Sequence, residues 1–164
     1  MYSLCKISFE EIYDVWQIEL WPDRENINKL STLTLSRDNK LDQQTYIKRY
    51  ESTVVFFGLK YTSHYYKEKE ELVGVNSGVQ CGFKLYRSRG LWINPKHRGL
   101  GLSEILLNSV VNEGKDRDCT EIWSLPRKNS LHAYLSAGFK KQGDWIKDDV
   151  KFGPNCIVTR LIDL

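Results

Sequence analysis

The chain has 164 residues, of which 41% are apolar and 12% aromatic, and its formal net charge is +3. This size and apolar content indicate one compact domain over residues 1–164 and exclude a long disordered protein. No apolar stretch approaches the ~20 residues that a bilayer span needs, and the first residues show no basic segment followed by an apolar core. We therefore expect a cytoplasmic protein with no membrane segment.

Hydrophobic periodicity predicts strands alternating with helices along the chain. Ser8 and Glu11 have the spacing of a capping box, and Pro22 is expected to end the helix that they start. The predicted elements, in chain order, are an edge strand at 4–7, a helix after Ser8, a helix over 42–50, a central strand at 53–61, a turn at 67–71, strands at 72–79 and 86–93, a helix over 102–114, a strand at 120–125, a helix over 129–137, and strands at 139–147 and 156–162. Residues 23–39 show no clear pattern. One mixed sheet with helices packed on it is the simplest architecture for this order.

The cysteines and histidines predict no metal site. Four cysteines lie far apart with no C-x-x-C pair, namely Cys5, Cys81, Cys119 and Cys156. This spacing favours reduced, buried thiols over a zinc site or a disulfide framework. His64 and His97 have no Cys, His or carboxylate partner at ligand spacing, so neither is predicted to bind a metal.

The positive charge is concentrated in one segment. Residues 72–103 contain no Asp or Glu and carry a charge of +5, which leaves −2 for the rest of the chain. The five basic residues are Lys84, Arg87, Arg89, Lys96 and Arg98. A local basic segment with glycines inside it indicates an anion-binding site, most simply for a phosphate.

The end of this segment is a glycine-rich loop that opens a helix. Gly99 and Gly101 allow backbone N–H groups to converge, and the helix N-terminus adds the positive end of its dipole. The loop is not a P-loop, because Leu102-Ser103 stands where Lys followed by Ser or Thr is needed. It is not a dinucleotide fingerprint either, because Glu104 stands at the position of the third glycine or alanine.

The loop and the strand before it resemble the acyl-CoA-binding motif of the GNAT family of N-acetyltransferases. The motif reads Arg98-Gly99-Leu100-Gly101-Leu102-Ser103 and follows Leu91-Trp92-Ile93-Asn94-Pro95. Ser103 replaces the family's usual final Gly or Ala. The resemblance implies acetyl-CoA as acyl donor, without a metal, and the following cofactor-binding residues: Leu91, Trp92, Ile93, Arg98, Gly99, Leu100, Gly101, Leu102, Ser103, Glu104 and Asn129.

A second segment, residues 131–139, is similar to the family's short helix that ends in Tyr-x-x-x-Gly-Phe. The resemblance implies that Tyr134 is catalytic and protonates the departing thiolate, which suits a phenol with a pKa of ~10 at neutral pH. The alternative is a core tyrosine whose hydroxyl bonds to the backbone. The family's cofactor-contacting Asn falls here on Arg127, and Asn129, two residues later, is assigned that contact instead.

The resemblance covers residues 54–139 in element order and implies an α+β, three-layer fold. The expected sheet is mixed, mostly antiparallel and splayed beside the acyl-CoA site, with helices on both faces and a single N-acetyltransferase domain over residues 1–164. The implied reaction transfers an acetyl group from acetyl-CoA to a primary amine of a small molecule or peptide. The implied oxyanion donor is a backbone N–H on the strand that ends at 91–93.

The general base is not assigned, because Arg87 and Arg89 occupy the strand on which family members often carry a glutamate. Strand alternation predicts both arginines on the same face as Leu91 and Ile93. Two interpretations stay open. The arginines either line the acceptor pocket and bind a carboxylate or phosphate, or form a solvated edge at the start of the strand.

Two other function classes are considered. One is a nucleic-acid-binding module built from the basic residues and Trp92, although Trp92 alternates with apolar neighbours and the basic residues lie on two elements, so nucleic acid is a less favoured partner. The other is an acyl-CoA sensor without turnover. The oligomeric state is expected to be monomer or homodimer, with an edge strand at 156–162 available for pairing across a dimer.

Overall fold

One seven-stranded sheet organises the part of the chain that the structure, a computed structural model, describes, namely residues 1–30, 43–65, 69–147 and 153–163. The strands are β1 (Tyr2–Lys6), β2 (Val55–Thr62), β3 (Glu70–Gly82), β4 (Leu85–Ile93), β5 (Glu121–Ser124), β6 (Lys140–Ile146) and β7 (Asn155–Leu161). Their order in the sheet is β1-β2-β3-β4-β5-β7-β6. Only β4 and β5 pair in parallel among these strands, so the predicted mixed, mostly antiparallel sheet is confirmed.

Helices cover both faces of the sheet. They are α1 (Phe9–Val15), α2 (Gln43–Tyr50), α3 (Leu102–Asp116) and α4 (Leu131–Ser136). Helices α3 and α4 enclose the larger core, where Leu106 and Leu107 are fully buried. On the other face, α1 and the π-helical turn Trp16–Leu20 that continues it bury Ile12 and Trp16. The expected three layers are therefore confirmed.

The sequence signals at the start of α1 are confirmed in detail. The Ser8 hydroxyl accepts the Glu11 backbone N–H at 3.2 Å, and the Glu11 carboxylate accepts the Ser8 N–H at 3.3 Å. This reciprocal capping satisfies two N–H groups that would lack helical partners. It sets the start of the helix that carries Trp16 to the sheet.

Two predictions about strands need placement or correction, and two other predicted elements lie partly outside the described residues. The strand predicted at 53–61 is one position in from the edge, because β1 pairs along its outer side. The strand at 156–162 was predicted to be an edge and this was wrong, since β7 pairs with both β5 and β6. Residues 31–42, where the predicted second helix was to begin, and residues 66–68 of the turn region lie outside the described residues.

Gly90 interrupts the regular pleat of β4. Its φ is +77°, in the left-handed region that favours glycine. The pairing of β4 with β3 shifts here, because Val75 faces Trp92 while Ser77 faces Arg89. One extra residue on β4 therefore forms a β-bulge, which reverses the alternation of side chains beyond it.

The bulge overturns the predicted position of the two arginines. Leu91 and Ile93 join the core beneath α3, whereas the Arg89 guanidinium lies 4.9 Å from the ring centre of Trp16 on the opposite face. Arg87, two residues before Arg89, shares that opposite face. The assumption that alternation continues unbroken along residues 87–93 was wrong because it ignored a glycine inside a strand.

The parallel strands β4 and β5 separate soon after they meet. Residues 85–87 of β4 pair with residues 121–123 of β5, and no further pairs join these two strands in the described chain. At the point of separation, the Ser124 hydroxyl donates to the Ser88 carbonyl at 2.6 Å. The predicted splay thus lies along residues 88–93, where the β5-facing edge of β4 opens into a cavity.

Replacing Gly90 with alanine tests the bulge. The Trp16 indole N–H donates to the Gly90 carbonyl at 2.9 Å, and an added Cβ at Gly90 would overlap the indole ring. We expect Gly90→Ala to lower the free energy of unfolding by roughly 3 kcal/mol, from backbone strain plus overpacking. Chemical denaturation measures this loss.

Gly143→Ala is the matched control. Gly143 also has a positive φ, of +72°, but a Cβ there would meet no atom of the described residues within 4 Å. This variant should lose only the backbone term, about 1 kcal/mol. Equal losses in the two variants would contradict the proposed packing of Trp16 on the bulge.

Candidate active site

A cavity of about 760 Å³ opens where β4 and β5 separate. Ten of the residues predicted to bind a cofactor line it, namely Leu91, Trp92, Ile93, Arg98, Gly99, Gly101, Leu102, Ser103, Glu104 and Asn129. Tyr134, Arg87 and Arg89 line it as well. Leu100 is 60% exposed and is not among the lining residues. The fold therefore gathers residues from β4, the glycine loop, α3 and α4 at one place.

The glycine loop is fixed by the residues on either side of it. Asn94 accepts the Lys96 N–H at 2.9 Å and so caps a short 3-10 turn that follows β4. The Arg98 side chain turns back, and its Nε–H donates to the Ile93 carbonyl at 2.9 Å. Gly99 follows with φ +81°. These contacts hold the loop against the open end of β4.

The loop delivers backbone donors to the N-terminus of α3. Gly101, with φ +75°, directly precedes the first residue of the helix and has no side chain that could cap it. A Cβ at Gly99 or Gly101 would meet no atom of the described chain within 4 Å, which leaves the space in front of both residues open to a ligand. Free helical N–H groups, positive-φ glycines and Arg98 together suit a diphosphate group. The residues present therefore fit the phosphates of an acyl-CoA.

Tyr134 reaches the cavity from the α3 and α4 side of the sheet. It is 2% exposed, and its ring packs edge-on against Phe139 at a centroid distance of 5.1 Å. Its hydroxyl oxygen lies 3.1 Å from Ser88 Oγ and 3.0 Å from Ser124 Oγ. The partners are therefore side chains of the two separating strands, which differs from the backbone partner of the alternative interpretation.

The hydroxyl groups around Tyr134 control where its proton can point. The Ser124 hydroxyl has a single hydrogen to donate, and its oxygen lies within hydrogen-bonding distance of both the Ser88 carbonyl and the Tyr134 hydroxyl oxygen. When Ser124 donates to the carbonyl, its oxygen can accept the phenol proton. When Ser124 donates to Tyr134, the phenol proton is free to point into the cavity. Asn76 holds the other hydroxyl, since its Nδ2 lies 3.0 Å from Ser88 Oγ.

Burial raises the pKa of Tyr134 above its usual value. The hydrogen bonds from Ser124 and Ser88 and the positive charge of Arg87 act in the opposite direction, since each stabilises the phenolate. The phenol consequently stays protonated at neutral pH but has donors in place for a developing negative charge. This combination suits a general acid.

Arg87 and Arg89 are buried, so the interpretation as a solvated edge is wrong. Arg87 is 5% exposed, and its guanidinium lies 4.6 Å from the ring centre of Trp123. Arg89 is 4% exposed and donates from Nη1 to the Asn28 carbonyl at 2.8 Å. Both line the cavity from the face opposite α3, so a molecule lying in the split of the sheet is approached from two sides.

The family model described as the acetyltransferase (GNAT) family matches residues 7–139. The chain belongs to the GNAT acetyltransferase family. No curated protein sequence matches the chain.

Solved GNAT structures share the whole fold. An acetyltransferase of the GNAT family from Staphylococcus aureus Mu50 aligns with a TM-score of 0.62 and 14% identity, covering 99% of this chain and 100% of that one. The ribosomal-protein-S18-alanine N-acetyltransferase from Escherichia coli aligns with a TM-score of 0.60 and 14% identity over 100% and 96% of the two chains. A phosphinothricin acetyltransferase from Sinorhizobium meliloti, in complex with acetyl-CoA, aligns with a TM-score of 0.61 and 13% identity, covering 98% of this chain and 88% of that one. At these identities the likeness shows the fold.

Several residues of this GNAT site were missed by the sequence analysis. Ser88 and Ser124 lie on different strands, and nothing in the sequence indicates that their hydroxyls meet at Tyr134. Trp21 and Arg24 line the cavity as well. Trp21 stands just before Pro22, where the first helix was predicted to end, and Arg24 lies in the stretch 23–39 that showed no clear pattern. Arg127 was noted only as a departure from the family, yet it also lines the cavity. The missed signal for the bulge was the glycine inside β4.

Two further findings concern the described residues alone. Their His, Cys, Asp and Glu side chains form no group of three or more that could hold a metal ion. No helix in these ranges combines the length and the apolar character that crossing a bilayer requires.

Buried phenols and thiols predict a loss of stability in alkali. Burial raises the pKa of Tyr134 and Tyr86, and raises that of Cys119 to about 11. Above the unfolded pKa of ~10, the unfolded chain releases phenol protons that the folded chain retains, so stability falls as pH rises. At pH values below the pKa values that these groups have in the unfolded chain, their contribution to the free energy of unfolding is fully present.

Tyr134→Phe isolates the contribution of one phenol. The wild-type free energy of unfolding should fall more steeply above pH ~10 than that of Tyr134→Phe, because the variant lacks one group with a raised pKa. Urea titrations at a series of pH values measure both slopes. Identical slopes would show that burial does not raise the pKa of this phenol.

Proposed function

We propose that the protein is an N-acetyltransferase that transfers the acetyl group of acetyl-CoA to a primary amine of a small molecule or peptide. The observation that carries this proposal is the continuous cavity, which joins the glycine loop, the open edge of β4 and Tyr134. We further propose that residues 1–164 form one acetyltransferase domain, acting in the cytoplasm as a monomer or homodimer.

The donor would be held along the split in the sheet. Backbone N–H groups of residues 99–104 and the Arg98 guanidinium would bind the pyrophosphate. The pantetheine arm would lie along residues 91–93, on the β4 edge that β5 leaves open. Asn129, exposed in the turn just before α4, lines the cavity and would contact the same arm.

Two groups of this chain would act on the reacting atoms. A backbone N–H on the open edge of β4 would donate to the oxygen that gains charge as the amine attacks, and one such donor is typically worth roughly 3–4 kcal/mol of transition-state stabilisation. Tyr134 would give its proton to the departing thiolate, while Ser88 and Ser124 hold the phenol in position.

The nucleic-acid alternative finds little support in the geometry. Two of the basic residues that suggested it, Arg87 and Arg89, are buried, and so is the aromatic residue Trp92, which is 8% exposed. Arg98 lines the cavity. A stacking surface needs exposed aromatic and basic groups side by side. The sensor alternative uses the same donor site. A measurement of turnover distinguishes the two, because only an enzyme would release the thiol when an amine is added.

Binding of acetyl-CoA tests the donor site. We expect calorimetry to show binding that weakens about tenfold or more in Arg98→Gln, because a hydrogen bond to a charged group is lost. Lys96→Gln removes the same charge from the same loop but lies outside the lining residues, so its affinity should stay near wild type. Absence of binding to the wild-type protein would overturn the proposed function.

Tyr134→Phe tests the general acid. Thiol release with a panel of primary amines should show kcat reduced by about 100-fold, with acetyl-CoA affinity near wild type. Tyr86→Phe is the control, because Tyr86 is a buried tyrosine outside the cavity whose hydroxyl donates to the Thr53 carbonyl at 3.2 Å. Its kcat should stay near wild type.

The outcomes separate catalysis from structure. If Tyr134→Phe lowers kcat and acetyl-CoA affinity together, the phenol is structural. If the wild-type protein binds acetyl-CoA but releases no thiol with any amine, the sensor alternative replaces the enzyme.

A further inference from the structure

A line of buried polar side chains runs from Tyr134 back into the sheet, away from the cavity. The Tyr134 hydroxyl oxygen lies 3.1 Å from Ser88 Oγ. Asn76 of β3 comes next, with its Nδ2 3.0 Å and its Oδ1 3.1 Å from the same Ser88 Oγ. Asn76 and Ser88 are both 0% exposed. Ser88 lines the cavity and Asn76 does not, so Asn76 can act on the site only through Ser88.

Helix α3 covers Asn76. Gly74 and Gly78 flank it on the same face of β3. A Cβ at Gly74 would lie 3.1 Å from Leu106 Cδ1, and one at Gly78 would lie 2.8 Å from Val110 Cγ1, so the helix packs closely on this strand. A primary amide beneath an apolar helix face is unfavourable unless it is hydrogen-bonded. An apolar pair of similar shape could replace this amide and its hydroxyl partner at little cost, so packing alone does not require them.

The hydroxyl groups beside the phenol can redirect their hydrogens without moving heavy atoms. While the phenol is protonated, Ser124 can donate to the Ser88 carbonyl, at 2.6 Å, and Ser88 can donate to Asn76 Oδ1. As the phenol proton leaves, both hydroxyls can point their hydrogens at the Tyr134 oxygen. The Asn76 Nδ2 group can then donate to Ser88 Oγ, which makes that hydroxyl a stronger donor.

We infer that Asn76 is a positioning residue for the proposed acid, and that through Ser88 it stabilises the phenolate which Tyr134 becomes when it protonates the thiolate. This inference rests on the proposed function, because it concerns the acid of that reaction. There, the amine nitrogen bonds to the thioester carbon, the carbon–sulfur bond breaks with its electron pair on sulfur, and the phenol proton passes to sulfur. The acceptor nitrogen loses one proton to water and the phenolate takes one from water, so the protons balance.

The line of donors opposes the effect of burial on the phenol. Burial disfavours the phenolate, whereas the hydrogen bonds from Ser124 and Ser88 and the charge of Arg87 favour it. Removing the Ser88 hydroxyl deletes one of these donors. Removing Asn76 leaves the donor in place but takes away the amide that supports it, so the same effect should appear in smaller measure.

Fluorine NMR tests this effect directly on the phenol. Replacement of Tyr134 by a difluorotyrosine, whose phenol is more acidic than that of tyrosine, lets the phenol be titrated while the protein is folded. In this protein, Ser88→Ala should make the phenol an about tenfold weaker acid, and Asn76→Leu about threefold. Asn76→Ala replaces Asn76→Leu if leucine is not tolerated beneath α3.

Ser77→Ala is the matched control. Ser77 is the neighbour of Asn76 on β3 and belongs to the opposite face, where its hydroxyl donates to the Arg89 carbonyl at 2.7 Å. It is 1% exposed, so the variant also loses a buried hydroxyl and its hydrogen bond, but far from the phenol oxygen in the network. Its titration should match that of the parent. Unchanged titration in Ser88→Ala and Asn76→Leu, or an equal change in Ser77→Ala, would overturn the inference.

Turnover in two backgrounds shows whether Asn76 acts through the phenol. With Tyr134 present, thiol release should show kcat reduced about threefold in Asn76→Leu and about tenfold in Ser88→Ala, with acetyl-CoA affinity near wild type. In the Tyr134→Phe background, the same changes should alter kcat by less than about twofold, because the group they support is gone. Equal losses in both backgrounds would overturn the inference. Failure of the proposed function is recognised separately, as absence of acetyl-CoA binding to the wild-type protein in calorimetry, and the fluorine titration needs no turnover.

Discussion

The hydrogen bond from the Ser124 hydroxyl to the Ser88 carbonyl is the interaction on which the site depends. It joins β4 to β5 by a side chain at the position where their parallel pairing stops. Before this hydrogen bond in chain order, the two strands pair in the sheet, and after it they separate and enclose a cavity. Because the same Ser124 oxygen reaches Tyr134, the point where the sheet opens and the position of the proposed acid are set together.

The opening gives the site two chemically different sides. The glycine loop, α3 and Tyr134 approach from one face, and Arg87, Arg89 and the segment after α1 approach from the other. The bulge at Gly90 creates this division, since it turns the arginines away from the face of Leu91 and Ile93. A donor and an acceptor can therefore meet across the sheet without competing for the same surface.

The sequence predicted those parts of the site that are local in the chain. The glycine loop, the helix after it and the Tyr134 segment are each contiguous, so spacing and residue type were sufficient to find them. Ser88 and Ser124 could not be paired with Tyr134 in the same way, because their contact depends on the register of strands 36 residues apart. Arg87 and Arg89 were assigned to the wrong face of the sheet for a related reason. A single bulge at Gly90 switches the faces to which the alternating side chains of β4 belong. The interior position of β7 likewise follows from long-range pairing with β5.

The central claim is that the acyl donor lies in the split with its reacting atoms beside Tyr134. A crystal structure with acetyl-CoA bound tests it most directly. We predict that the pyrophosphate lies on the backbone of residues 99–104, the thioester carbonyl against the open edge of β4, and the sulfur within hydrogen-bonding distance of the Tyr134 hydroxyl. Acetyl-CoA bound outside the split, or with its sulfur remote from Tyr134, would contradict this placement of the donor.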